Sequence, residues 1–176
     1  CSSGTYAFSN VDLSSTADVV AGDLSITITD SSGNETVSTT SVTKDSTPPT
    51  VTLDTLNIND ANKSNYTVSG TCNEEAATVN IGINGTSTSA TCTSGTFSVG
   101  SLDVSGESDT LTLPITADLD DSFGNSATQA SINVVKDVVS PTLSITSTDT
   151  LTVHALSDSS TFSISGNCNE NTRTVT

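Results

Sequence analysis

The sequence predicts an all-β fold made of tandem β-sandwich repeats. Three observations predict it: apolar residues alternate with polar ones in short segments, one pattern recurs along the chain, and Gly, Asn, Asp and Pro separate the segments. No window has the spacing of an amphipathic helix. Short alternating strands between turn residues are typical of sandwiches.

Strands are indicated wherever every second residue is apolar. The longest such segment brings Leu111, Leu113, Ile115, Ala117 and Leu119 to one face. Proline cannot donate a ladder hydrogen bond, so Pro114 inside this segment predicts an edge strand or a bulge. The same alternation occurs at 24–28, 66–68, 79–83, 97–99 and 132–134.

The chain contains nearly two copies of one repeat. Cys1-Ser-Ser-Gly-Thr-Tyr6 resembles Cys92-Thr-Ser-Gly-Thr-Phe97, and 11 of the 34 positions aligned at an offset of 91 residues are identical. Identity on this scale shows a shared module, whose turn residues and strand pattern recur together.

Proline-bearing junctions mark the boundaries of the module. Pro49 and Pro141 are equivalent and lie 92 positions apart, which predicts repeats of about 92 residues. Several short strands in a unit of this size point to a sandwich of immunoglobulin type. We therefore expect 1–46 to be the C-terminal half of an immunoglobulin-like repeat, 47–138 a complete repeat and 139–176 the N-terminal half of the next.

The four cysteines fit this register. Cys72 is in phase with the apolar residues of its strand and Cys92 follows 20 residues later, which makes them the natural pair within one repeat. Cys1 and Cys168 then pair outside this repeat. A disulfide indicates an oxidising exterior, so we expect a secreted or cell-surface protein.

Other roles for the cysteines remain open. Cys168 of one copy could bond Cys1 of the next, although joining Thr176 to Cys1 gives a spacing of 9 rather than 20 residues. Lipidation of an N-terminal cysteine is a further alternative. Zinc is disfavoured because no Cys-x-x-Cys pair occurs and His154 is the one histidine.

The charge balance excludes several partners. Twenty carboxylates against four Lys and Arg give a net charge of −16, which repels nucleic acid and anionic membrane surfaces. No apolar run has the roughly 18 residues of a membrane span. We expect no enzyme, because His154 stands alone in a strand-like segment. Two Tyr and four Phe disfavour a carbohydrate-binding module.

A D-x-x-G-N loop occurs at Asp30–Asn34 and again at Asp121–Asn125. One interpretation is a tight turn, in which Asp caps the backbone and Gly takes a positive φ. The other is calcium, which prefers oxygen ligands at short spacing. The candidate calcium ligands are the loop and junction aspartates Asp30, Asp45, Asp118, Asp120, Asp121 and Asp137.

The order of strand, D-x-x-G-N loop, strand, Asp and Thr-Pro-Pro-Thr-Val resembles the bacterial Ig-like tandem repeats of large secreted surface adhesins or fibres. The resemblance implies a long chain of stacked sandwiches, often stiffened by calcium at the junctions, that carries a terminal domain for a cell-surface target. The cysteine pair departs from that pattern, and so does the second junction, Asp137-Val-Val-Ser-Pro.

Two functions follow from these features. The first is a structural spacer or stalk segment, whose partners are adjacent repeats of the same chain. The alternative is a subunit of a self-assembling extracellular filament or surface layer, completed by neighbouring copies. A disordered, mucin-like stalk is disfavoured by the strand alternation.

Overall fold

The computed structural model describes residues 1–146 and 164–176, which contain ten strands and no helix. The all-β class is therefore confirmed. The prediction for His154 lies outside the described residues. The strands are β1 Val19–Thr29, β2 Glu35–Lys44, β3 Tyr66–Thr71, β4 Thr78–Ile83, β5 Thr86–Thr91, β6 Thr96–Leu102, β7 Thr110–Leu119, β8 Ala130–Lys136, β9 Leu143–Ile145 and β10 Gly166–Cys168.

The chain divides into two compact units. The first comprises Cys1–Thr55, Val68–Val99 and Pro114–Ile132, and the second Leu56–Thr67, Gly100–Leu113 and Asn133–Thr176.

The first unit begins with an antiparallel hairpin of β1 and β2. Its register runs from Thr29 opposite Glu35 back to Val19 opposite Lys44, with an irregularity between Val19 and Gly22. Asp30 to Asn34 form the connecting turn, in which Gly33 has a φ of +89°. Glycine adopts that conformation without the steric cost of a Cβ atom, which explains its place in the motif.

Strands β3 to β8 form two sheets with the order of an immunoglobulin sandwich. One sheet places β3 beside β6, and the other has the order β5-β4-β7-β8. Immunoglobulin domains pair strand B with E in one sheet and combine C, F and G in the other, with C′ beside C in variable-type domains. The Ig-like fold class is confirmed, and the repeat length of about 92 residues stays a prediction.

The core of the first unit lies on the alternating apolar faces of these strands. The prediction for Pro114 is wrong in one respect, because β7 lies between β4 and β8 and is not an edge strand. The register of β7 with β4 runs from Ile115 to Leu119, so Pro114 stands just beyond this ladder. The buried residues of this core include Val51, Val68, Val79, Ile81, Phe97, Ile115, Ala117 and Leu119.

The second unit is held by backbone and side-chain bonds of its own. Ile58 forms a parallel bridge with Lys136, and its N–H donates to the Val135 carbonyl at 2.8 Å. The Tyr66 hydroxyl donates to the Leu56 carbonyl. The hairpin of β9 and β10, in which Leu143 lies opposite Cys168, also belongs to this unit.

Candidate functional site

The Cys72–Cys92 disulfide is the covalent feature of the fold. Cys72 follows β3 and Cys92 follows β5, so the bond links the two sheets, with its Cα atoms 6.0 Å apart and both residues buried. Closing a 20-residue loop restricts the unfolded chain and stabilises the fold by about 3 kcal/mol on the chain-entropy model. Cys1 and Cys168 are free and exposed.

The first D-x-x-G-N loop is a self-contained polar turn. Asp30 Oδ1 accepts from the N–H groups of Ser32 at 2.8 Å and Asn34 at 2.9 Å, and Asp30 Oδ2 accepts from Asn34 Nδ2 at 2.8 Å. The bonds from Asn34, followed by that from Ser32, lower the pKa of Asp30 because they favour the ionised carboxyl.

The second loop repeats this turn and adds one contact. Asp121 Oδ1 accepts from the N–H groups of Phe123 and Asn125, and Asp121 Oδ2 accepts from Asn125 Nδ2 at 2.7 Å. The same Nδ2 also donates to the carbonyl of Asp45, 80 positions away in the sequence, at 3.2 Å. Partial burial opposes ionisation of Asp121, yet the bonds from Asn125 and its neighbours lower its pKa overall.

The segment that follows β2 is fixed by Asp18. The Ser46 hydroxyl donates to Asp18 Oδ1 and the Thr47 hydroxyl to Asp18 Oδ2, both at 2.7 Å, and Lys44 Nζ donates to Asp18 Oδ1 at 3.1 Å. These bonds, of which that from Ser46 has the largest effect, hold the pKa of Asp18 well below its usual value. We call residues 45–49, which leave β2 and lead to buried Pro49, the first linker.

An ion pair equivalent to that of Lys44 and Asp18 lies at the end of β8. Lys136 Nζ donates to Asp109 Oδ1 at 3.2 Å, and the N–H of Val138 donates to the same oxygen at 3.3 Å. Asp18 and Asp109 are 91 positions apart, and Lys44 and Lys136 are 92 apart. We call residues 137–141, which follow this pair, the second linker.

The six predicted calcium ligands are not gathered into one site. Asp118 accepts from Gln129 Nε2 with both oxygens, and Asp120 takes part in an isolated bridge with Ser126. Asp45 and Asp137 each accept the N–H two residues ahead, at 2.9 and 3.0 Å. Within 1–146 and 164–176, no three His, Cys, Asp or Glu side chains form a group that could hold a metal ion.

A calcium ion takes six to eight oxygen ligands. The D-x-x-G-N loops supply one carboxylate each, and N–H donors already bind their oxygens. Both loops therefore have the geometry of a tight turn, and calcium at their aspartates stays a prediction. No helix in the described part of the chain could cross a membrane.

The sequence interpretation missed the Asp18 and Asp109 anchors and the Asn125 contact. A signal was present, because Asp18, Asn34 and Lys44 all recur at the repeat offset in a pair of segments that differ at most positions. Their polar contacts depend on where the linkers run, which periodicity does not specify.

No protein-family model and no curated protein matches the chain. Among solved structures, it is similar to the Ca2+-stabilized adhesin with which an Antarctic bacterium reaches out and binds ice, at 28% identity and a TM-score of 0.45. That match covers 71% of this chain and 35% of the other. It is also similar to a bacterial immunoglobulin-like domain from the M. primoryensis ice-binding adhesin, at 26% identity and a TM-score of 0.43, covering 52% of this chain and all of that domain.

A third similar structure belongs to a 1.5-MDa bacterial ice-binding adhesin described in connection with host cell surface retention. The identity is 22% and the TM-score 0.39, and the match covers 71% of this chain and 45% of the other. The chain thus spans less than half of the first and third structures. All three are adhesin structures, the group that the sequence motifs resemble.

Proposed function

We propose that the chain is a spacer segment of a long extracellular bacterial adhesin or fibre, built from disulfide-bridged Ig-like repeats stacked end to end. The observation that carries this proposal is a comparison within the chain. Apolar residues that are covered in 47–138 have equivalents in 1–46 and 139–176 that are exposed. The two flanking segments therefore have the surfaces of half repeats.

The hairpin of β1 and β2 shows this most clearly. Leu24 is 49% exposed, whereas Ile115 at the equivalent position is fully buried; Ile28 is 57% exposed, whereas Leu119 is 1% exposed. In 47–138, β4 pairs with β7 beside these residues. The open face of the hairpin bears a groove of about 210 Å3, lined by Cys1, Tyr6, Phe8, Ile26, Thr27, Ile28, Thr36 and Ser38.

The C-terminal segment repeats the start of 47–138. The N–H of Thr142 donates to Asn169 Oδ1 at 2.7 Å, as the N–H of Thr50 does to Asn73 Oδ1 at 2.7 Å. Cys168 lies opposite Leu143 in β9 and β10, as Cys72 lies opposite Val51. Local structure is thus shared, while Leu143 and Ile164 are exposed where Val51 and Val68 are buried.

Several features support an extracellular location. The core contains few aromatic residues, so the disulfide supplies a substantial part of its stability and favours an oxidising compartment. The similar solved structures are adhesin domains rather than enzymes. Binding to a surface target would belong to other domains of the parent protein, and the absence of catalysis stays a prediction.

The experiment uses chains of one, two, three and four copies of residues 47–138. A spacer requires each copy to add a constant increment to the maximum dimension measured by small-angle X-ray scattering, because each repeat contacts only its neighbours. A maximum dimension that does not grow in proportion to copy number contradicts the proposal.

One observation favours a second candidate, a self-assembling filament completed by neighbouring chains. Cys1 borders the open groove of the first hairpin, and Cys168 is exposed in the other half repeat. Light scattering of the 176-residue chain under non-reducing conditions tests it against a Cys1→Ser, Cys168→Ser variant. Covalent oligomers of the wild-type chain alone would favour the filament, and a monomer in both would favour the spacer.

Calcium at the six aspartates stays a prediction. A charge of −16 destabilises a compact chain by self-repulsion, so any divalent cation is expected to raise the melting temperature somewhat. A specific site requires calcium to raise it more than magnesium does at equal concentration, because magnesium demands a stricter octahedral geometry. Equal effects of the two ions would exclude the predicted site.

A further inference from the structure

We infer that the D-x-x-G-N loop of each repeat is the docking surface for the linker that enters that repeat, and that its asparagine fastens the two repeats together. The inference rests on the proposed spacer function and names the contact that orients its repeats. The partner it commits to is the linker aspartate of a preceding repeat of the same kind.

The two loops of the chain form an internal comparison. Both make the same three bonds within the turn, from two N–H groups and one side-chain amide to a single aspartate. Asn125 alone makes a further bond, to the Asp45 carbonyl of the first linker, and it is partly buried whereas Asn34 is exposed. The loop therefore has the same internal bonds with and without a bound linker. The bond from Asn125 to the first linker is the difference between the two loops.

The two linkers share the turn at their first residue. Asp45 Oδ1 accepts from the Thr47 N–H and Asp137 Oδ1 accepts from the Val139 N–H, so each aspartate turns the backbone immediately after its own carbonyl. Asp-centred turns of this kind fix the local path of the chain. We therefore expect the Asp137 carbonyl to accept a bond from the loop asparagine of a following repeat. In the same way, we expect Asn34 to donate to the linker of a preceding repeat.

The first linker is also fastened to the hairpin from which it leaves. Asp18 holds the hydroxyl groups of Ser46 and Thr47, while Asn125 holds the carbonyl of Asp45. The first linker is thus bound by both of the sequence repeats that it connects, at Ser46 and Thr47 by the first and at Asp45 by the second. Such a clamp removes most of the conformational freedom that a linker otherwise has.

The contact is independent of metal ions, since it joins a neutral amide to a main-chain carbonyl. It also differs from the predicted calcium role, in which aspartate side chains would stiffen the junction. The two ideas are separable because removing the asparagine amide leaves every aspartate in place.

The test measures the distance distribution between nitroxide labels on Ser38→Cys and Ser87→Cys in the full chain. Cys1→Ser and Cys168→Ser leave these as the labelled thiols, and the Cys72–Cys92 disulfide is kept oxidised. Both labelled positions are exposed strand residues, on β2 and β5. The matched variants are Asn125→Ala and Asn34→Ala, which each lose one bond within a loop, whereas only the first loses the linker bond.

We expect Asn125→Ala to lose the narrow distance peak and Asn34→Ala to retain it, in calcium and in chelator alike. A second variant, Ser46→Ala with Thr47→Val, releases Asp18 without touching the loop and is expected to lose the same peak. If Asn125→Ala fails to fold, as judged by circular dichroism, Asn125→Leu takes its place with Asn34→Leu as its control, because leucine has nearly the shape of asparagine and no amide donor.

Equal distributions for the two asparagine variants would overturn the inference. A peak that broadens in chelator for the wild-type chain would assign the joint to an ion instead. Oligomers of the wild-type chain would contradict the spacer proposal without affecting the comparison of Asn125 with Asn34.

Discussion

Replacing Asp109 by alanine removes the carboxylate partner of a buried ammonium group. The Lys136 side chain is 1% exposed, and its Nζ donates to Asp109 Oδ1 at 3.2 Å. Removing one partner of a buried pair costs about 3–5 kcal/mol, because the remaining charge is left unpaired in a medium of low dielectric constant. Asp109 is itself partly exposed, so we expect Asp109→Ala to lower the free energy of unfolding by about 3 kcal/mol.

Urea unfolding followed by tyrosine fluorescence measures this loss. In a Tyr6→Phe background, buried Tyr66 is the remaining tyrosine and reports on the repeat that contains Lys136. With a urea m-value of about 1.5 kcal/mol/M, a loss of about 3 kcal/mol moves the midpoint by about 2 M while the slope is unchanged.

Two further variants separate the buried charge from a general effect of losing a carboxylate. Asp60→Ala removes the partner of Lys63 in an exposed pair and is expected to cost less than about 1 kcal/mol. Asp109→Ala combined with Lys136→Met is expected to recover most of the loss, because an apolar side chain needs no partner. A cost at Asp109 no greater than that at Asp60, or no recovery with methionine, would refute the reasoning.

Three other predictions follow from the core and the linker. Cys72→Ala with Cys92→Ala should lower the unfolding free energy by about 3 kcal/mol in urea titrations, whereas Cys1→Ser with Cys168→Ser should not. Gly70→Ala should cost about 1–3 kcal/mol in the same assay, because its Cβ would lie 1.9 Å from the Thr52 carbonyl oxygen, whereas Gly106→Ala should have little effect since nothing lies within 4 Å. The lowered pKa of Asp18 stabilises the linker contact above the unfolded pKa of about 3.9, and this is lost as the pH falls toward the folded value. The label distances of Asp18→Asn should therefore differ from wild type at pH 7 and still differ at about pH 4, and the difference should shrink only as the pH falls toward the folded value; a difference already lost at about pH 4 would contradict the assignment.

The sequence predicts those strands whose apolar residues alternate. Strand β4 is an example, since Val79, Ile81 and Ile83 mark one face and are all buried. Strands β2 and β5 escape prediction because Ser and Thr dominate them, and β5 has no large apolar residue. Their order comes from pairing with β1 and β4, which is a property of the sheet and not of the segment.

The polar contacts were predictable to a smaller degree. The D-x-x-G-N pattern predicts a turn from the sequence alone, because the aspartate, glycine and asparagine each have a local role. The bond from Asn125 to Asp45 spans 80 residues, and no local pattern encodes it. Burial of Lys136 was equally hidden, since a lysine at the end of a strand is ordinarily exposed.

Asn125 donates to a main-chain carbonyl of the linker and not to a side chain, and this explains how the two junctions can differ in sequence. Asp45-Ser-Thr-Pro-Pro and Asp137-Val-Val-Ser-Pro share only the aspartate and the final proline, and both aspartates accept the N–H two residues ahead. A carbonyl is present whatever side chain follows, so the linker can diverge while its aspartate maintains the turn. The loop asparagine and the linker aspartate are then the two residues that a stack of such repeats must retain to keep one joint geometry.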